Sequence, residues 1–89
     1  MTKLRKFARD QQCTLRISGV CNGDPATTVL AHGKGAGMGT KLHDECACHA
    51  CSDCHYYLDH IASPAEYRAL FWPAQHETYG RAKKAGLVQ

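Results

Sequence analysis

Cys51-Ser52-Asp53-Cys54-His55, read with Cys13, Cys21 and the run Val29-Leu30-Ala31-His32, decides how this chain folds. A C-x2-C pair holds a metal from one tight turn, and a second pair far upstream can complete a tetrahedral zinc site. Cys13, Cys21, Cys51 and Cys54 are therefore the expected structural zinc ligands. Cys46 or Cys48 can replace one of them, because Cys46-x-Cys48-x2-Cys51-x2-Cys54 offers several pairings. That choice leaves His55 beside a zinc ligand but not needed by it, and His32 at the end of a strand.

Eighty-nine residues with 8% aromatic content cannot build a large core, so a staple is expected. Residues 1–89 read as one domain. Met1 to Gln12 carry Lys3, Arg5, Lys6 and Arg9 but no apolar stretch resembling a secretory signal. No run approaches the ~20 apolar residues of a membrane span. The expected location is the cytoplasm, where thiols stay reduced and six cysteines favour metal over disulfides or idle buried thiols. The net charge of +3 falls to about +1 once four thiolates and Zn2+ are counted, so distribution matters more than the total. Lys3, Arg5, Lys6, Arg9 and Arg16 crowd one end, and Arg81, Lys83 and Lys84 the other. Either cluster can contact phosphates or simply be solvated.

Lys3 to Asp10 reads as a short helix with Leu4 and Phe7 on one face, and Cys13 to Ile17 as a short strand. Turn signals at Ser18-Gly19 and Asn22-Gly23-Asp24-Pro25 flank Cys21. Thr27 to His32 is the best strand candidate. Gly33 to Lys41 holds four glycines in nine residues, which predicts a mobile surface loop. Asp44 to Ala50 returns as a second strand, with Cys46 and Cys48 on one face and Ala47 and His49 on the other. A helix follows, opening at Cys54-His55, with Leu58 and Ile61 as its apolar stripe. Ser63-Pro64-Ala65-Glu66 is a capping box that opens another helix, carrying Tyr67, Leu70 and Phe71 inward. Pro73 predicts a kink or break near Trp72, and Gly86 the end of the final segment.

A strand ending in His32, a return strand and a helix bearing His55 would form a ββα-metal unit. Phosphodiester hydrolysis needs a base for water and a cation for the charge that builds on phosphate and leaving oxygen. An imidazole suits the first task, and a divalent ion with few protein ligands suits the second. Cys51-x2-Cys54-His55 also matches a c-type haem attachment sequence, and iron–sulfur ligation fits the spacing. Haem attachment would require export and leave Cys13 and Cys21 unexplained.

Leu4-Arg5-Lys6, Cys13, Arg16-Ile17, Gly19-Val20-Cys21-Asn22-Gly23, Pro25, Val29-Leu30-Ala31-His32, Asp44 and Cys51-x2-Cys54-His55 with Asp59 resemble the YbcO-like nucleases of prophages. That family is similar to the HNH (His-Me finger) nucleases and to the HNH part of the phage RecA-dependent nuclease. The resemblance is specific from Leu4 to Asp59 and only general after Ser63. It implies an α+β, zinc-stabilised ββα-metal domain that cleaves DNA with Mg2+ or Mn2+. It places His32 as general base, Asp44 at the central position and His55 as ligand of the catalytic metal, with Asp59, Asp44 or His43 assisting. DNA and a recombinase filament are the implied partners; a small-molecule substrate is not expected. Two positions depart from the HNH pattern: Ala31 stands where many such enzymes have an acidic ligand, and Asp44 where many have Asn. A scaffold that binds DNA or protein in phage recombination without cleaving is the competing expectation.

Overall fold

The computed structural model describes residues 2–33 and 43–88. The glycine-rich stretch predicted as a loop lies, after Gly33, outside them. Helix α1 (Lys3–Ala8) comes first, then strands β1 (Val29–His32) and β2 (Ala47–Ala50), then helices α2 (Ser52–His60) and α3 (Pro64–Lys84). The result is a small α+β domain in which a β-hairpin is followed by helices.

Local chemistry sets each boundary. Thr2 caps α1 by accepting from the Arg5 N–H, and the left-handed Asp10 (φ 64°) follows its end, so α1 stops short of the expected Asp10. In the turn before β1, the Asn22 side chain accepts from the Asp24 N–H at 2.8 Å and Gly23 takes φ 68°. Asp24 then caps a single 3-10 turn, Pro25–Thr27. That turn consumes Thr27, and β1 begins at Val29 rather than at Thr27.

The strands pair antiparallel, with Val29 opposite Ala50 and His32 opposite Ala47. Gly33 N–H continues the ladder to the Cys46 carbonyl at 2.9 Å. The return strand is shorter than predicted: Asp44 to Cys46 form a turn, and only Ala47 to Ala50 are strand, all four buried. Cys13 to Ile17 do not form a strand. Thr14 bonds the His49 carbonyl through its amide (2.7 Å) and its hydroxyl (2.7 Å), but Arg16 turns left-handed (φ 46°) and prevents further pairing.

Cys51 caps α2, its sulfur accepting from the Cys54 N–H at 3.4 Å, so the helix opens before Cys54. Leu58 is buried as expected, whereas Ile61 is 59% exposed at the C-terminal cap. Ser63 caps α3 as the capping box predicts, with Pro64 in its first turn. The closing turn is a Schellman motif: Leu87 N–H reaches the Ala82 carbonyl and Gly86 N–H the Lys83 carbonyl, with Gly86 at φ 77°. The expected break near Pro73 is absent, and α3 is one helix of 21 residues. A proline inside a helix costs about 3 kcal/mol. Pro73 sits on the solvent face, while Phe71 and Ala74, then Thr78 and Ala82, bury against the rest of the domain and hold both halves in line.

Helix α3 lies across β2. Between them His49, 1% exposed, sits in a polar network. Its N–H donates to the Thr78 hydroxyl at 3.0 Å, and its Nδ1 accepts from Arg81 at 3.1 Å. Arg81 also reaches the Gln12 carbonyl (2.7 Å) and Glu77 (2.9 Å), and Glu77 is bound by both nitrogens of the Arg16 fork. Burial, with the Arg81 charge, pushes the His49 imidazole down to about 4. Its folded value lies below the unfolded ~6.5, so its contribution to stability is complete above about 6.5 and fades as pH falls towards 4. The His49 imidazole should therefore stay neutral, with an unmoving ring-proton NMR shift, from pH 7 down to about 5; a titration midpoint near 6.5 would refute this environment.

Gly33 is required by close approach. A Cβ there would stand 2.9 Å from the Phe71 ring and 3.1 Å from the Cys46 carbonyl. The ring belongs to the buried core and the carbonyl to the ladder, so neither gives way cheaply. Gly33→Ala should destabilise the domain by about 1–3 kcal/mol, measured by chemical denaturation. Gly80→Ala, with nothing within 4 Å, serves as the control.

Candidate metal centre and active-site cleft

The Sγ atoms of Cys13, Cys21, Cys51 and Cys54 lie within 4.8 Å of one another, and none is in a disulfide. Four sulfurs at ~2.3 Å from zinc define a tetrahedron with edges of roughly 3.8 Å. The Cys21 and Cys51 sulfurs are 3.8 Å apart, so the donors present fit the ion. Cys13 and Cys21 come from the loop after α1, and Cys51 and Cys54 from the first turn of α2. Cys48 is buried in the core and Cys46 lies in the turn before β2; neither joins the cluster. Burial would raise the Cys51 thiol, but the N–H groups of Cys54 and Asn22 outweigh it and hold Cys51 down to about 7. Burial pushes Cys21 and Cys54 upward, and their sulfur neighbours add to it. A dication offsets the repulsion among such thiolates. Four clustered cysteines thus suggest a structural zinc site.

A cleft is lined by His32, His43, Asp44, His55, Arg5 and Arg9, among others. The structure therefore brings together the histidines and the aspartate singled out in the sequence. His32 closes β1 and hydrogen-bonds through Nε2 to the Asp44 carboxylate. The Thr2 hydroxyl donates to the other Asp44 oxygen at 2.6 Å, and Arg5 Nε lies 3.6 Å away. The Thr2 bond, then the His32 bond, hold the Asp44 carboxyl below the usual range against the opposing effect of burial. With Nε2 engaged by a carboxylate, Nδ1 of His32 is the nitrogen left to accept a proton.

His55 occupies the first turn of α2, its Nε2 3.1 Å from Asp59 Oδ2 one turn on. An octahedral cation with ligands at ~2.1 Å has adjacent ligands roughly 3.0 Å apart, so this pair fits two neighbouring positions. Among the described residues, only the four cysteines form a group of three or more potential metal ligands. A third feature was not singled out in the sequence. Thr28, 3% exposed, lines the cleft, and its hydroxyl has no partner among the described residues. A lone threonine between a turn and a strand carries no sequence signal for this.

Two basic residues do not reach the cleft as free charges. Arg16 is committed to Glu77, and Arg81 to Glu77, His49 and the Gln12 carbonyl. Lys3, Lys6 and Arg9 form no ion pair with a described residue and are exposed, with Arg9 on the cleft wall.

A β-hairpin packed by helices, with a four-cysteine cluster and a histidine-lined cleft, defines a small α+β domain whose cysteines are arranged as a zinc site would be. The chain belongs to the family described as "Putative nuclease YbcO", whose model matches residues 2–86. It is 52% identical over 62 residues to "Putative nuclease YbcO" of Escherichia coli (strain K12) and, equally, to "Putative nuclease ybcO" of Enterobacteria phage 82. Each match spans 66% of this chain and 65% of the relative, so the chain covers just under two thirds of those proteins. Its fold is similar to "Structure of a putative bacteriophage protein from Escherichia coli str. K-12 substr. MG1655". There the TM-score is 0.78 at 34% identity, over 94% of this chain and 100% of that one. The family is thus prophage-associated and carries a nuclease name. No described helix is long and apolar enough to cross a membrane.

Purified protein should hold one zinc per chain by elemental analysis. Cys54→Ala should abolish retention and folding together, while Cys46→Ser and Cys48→Ala should keep the metal. Loss of zinc in either of the last two variants would contradict the ligand set.

Proposed function

We propose that this protein is an HNH-type endonuclease that hydrolyses phosphodiester bonds in DNA with a single divalent ion. The observation that carries this reading is the His32–Asp44 pair facing the same cleft as His55. The family name and the order of hairpin, then helix, support it.

In this reading His32 is the general base. Asp44 fixes the ring and its tautomer, Thr2 and Arg5 fix Asp44, and Nδ1 takes the proton from the attacking water. His55 with Asp59 would hold Mg2+ or Mn2+, which when bound supplies charge stabilisation for the phosphate and leaving oxygen. Two protein ligands leave most of the coordination shell to water and substrate, the usual arrangement for Mg2+. Asp44 is not in this ligand set because its oxygens are engaged by Thr2, His32 and Arg5. Arg5 and Arg9 border the cleft where a phosphodiester backbone would pass. Cys13, Cys21, Cys51 and Cys54 would hold a zinc whose role in this scheme is structural. A bacterial cytoplasm and a recombinase filament as activating partner fit a prophage-encoded nuclease.

The test is nicking of supercoiled plasmid by zinc-loaded protein with Mg2+, Mn2+ or no added ion. His32→Ala should abolish metal-dependent nicking while leaving zinc content and circular dichroism unchanged. Asp44→Asn should lower the rate by about 10- to 1000-fold, because the ring keeps its place but loses its charged partner. Equal nicking by wild type and His32→Ala would overturn the assignment. Salt-dependent DNA binding with no nicking would favour the accessory-protein alternative.

A further inference from the structure

Helix α2 presents two neighbouring stripes at i, i+4 spacing. One holds His55 and Asp59. The next holds Tyr56 and His60, whose ring centroids lie 4.6 Å apart with the planes tilted by 40°. Tyr56 is 62% exposed, and Val29, at the start of β1, is 44% exposed. These are two of the four large hydrophobic side chains exposed among the described residues. They do not lie on separate surfaces. Both line a small concavity between β1 and α2 together with His55, Asp59 and His60, and Thr27 and Ser52 form its polar edge. His55 also lines the larger cleft, so the two hollows meet at that side chain.

We propose that this concavity is a nucleobase subsite, in which an unpaired base beside the scissile phosphate stacks on Tyr56. The inference rests on the nuclease reading and names its substrate class: single-stranded or locally unpaired DNA rather than continuous duplex. Stacking requires an open π-face, which neighbouring base pairs cover inside a duplex. A hollow walled by a tyrosine and a valine accepts a base entering edge-first. The adjoining His55–Asp59 stripe lies where that nucleotide's phosphate would sit. Aromatic stacking tolerates any base, so the subsite selects strand state and not sequence.

The experiment is fluorescence anisotropy of the zinc-loaded full chain with a labelled single-stranded oligonucleotide and with the matching blunt duplex. Ca2+ replaces Mg2+ so that binding is read without cleavage. Wild type should bind the single strand more tightly. Tyr56→Ala should weaken single-strand binding roughly ten- to a hundredfold and duplex binding little, while Tyr56→Phe should stay near wild type. A 2-aminopurine in the strand should be quenched by wild type and Tyr56→Phe but not by Tyr56→Ala. Unchanged single-strand affinity in Tyr56→Ala, or equal losses on both substrates, would overturn the subsite. Failure of the nuclease reading is read separately: a protein that never nicks but still discriminates single strands through Tyr56 keeps the subsite and loses the catalysis.

Discussion

The convergence of Cys13 and Cys21 on Cys51 and Cys54 is the constraint on which the rest of the domain depends. The largest fully buried side chains are Phe71, Leu58, His49, Cys48, Cys51 and Cys54, and alanines make up much of the remaining core. Burying alanine gains little, so apolar transfer alone leaves such a chain marginal. The cysteines stand where a larger protein would place leucines: Cys13, Cys51 and Cys54 belong to the same core cluster as Leu15, Leu58 and Phe71, and Cys21 packs against it. The cluster also fixes geometry. It ties the loop after α1 to the first turn of α2, and that turn follows directly from β2 through the Cys51 cap. The orientation of α2, and with it the direction of His55, is set by the staple.

The opposite flank is closed by polar contacts. The outer edge of β2 would leave the His49 amide and carbonyl unpaired; Thr78 from α3 satisfies one and Thr14 the other. Arg81 then neutralises Glu77, which in turn binds Arg16. These bonds join the loop, β2 and the C-terminal half of α3, while burial of Phe71 and Ala74 anchors the helix on either side of Pro73. The helix is held at many points on either side, and a single lost backbone bond on its exposed face is tolerated.

Much of this was legible in the sequence. Cysteine spacing pointed to a four-sulfur cluster, and the fold chose Cys13, Cys21, Cys51 and Cys54 over the Cys46 and Cys48 alternatives that spacing left open. The capping box at Ser63 and the Gly86 terminus were readable because caps are local chemistry. What sequence could not supply was tertiary. The alternation at Cys13 to Ile17 looks like a strand, but Arg16 turns left-handed and pairs with Glu77, 61 residues away. Ile61 fits an apolar stripe yet falls at the helix cap, beyond the core. Arg16 reads as surface charge because its partner Glu77 is 61 residues away, and Arg81 because Gln12 and His49 are remote in sequence, although Glu77 lies one turn from it. The histidine pair was legible in kind, but the Thr2–Asp44–His32 chain was not, because nothing local connects Thr2 with a residue 42 positions on.

That chain changes what the N-terminal helix is for. As a run of lysines and arginines, α1 reads as a solubilising end or a phosphate-binding patch. In the fold its cap, Thr2, bonds the carboxylate that bonds His32, and Arg5 from its first turn faces the same group. The helix packs against β1, the strand that ends in His32. The ring is thus held from two directions, by its own strand and by a helix resting on that strand. His32 and the start of α2 lie at opposite ends of the hairpin, since His32 pairs with Ala47 and Val29 with Ala50. Three residue steps at ~3.3 Å separate those ends by roughly 10 Å. In the proposed reading the phosphodiester and its water would lie between the His32 imidazole and the His55 stripe, with α1 bracing the first wall and the four-cysteine cluster the second.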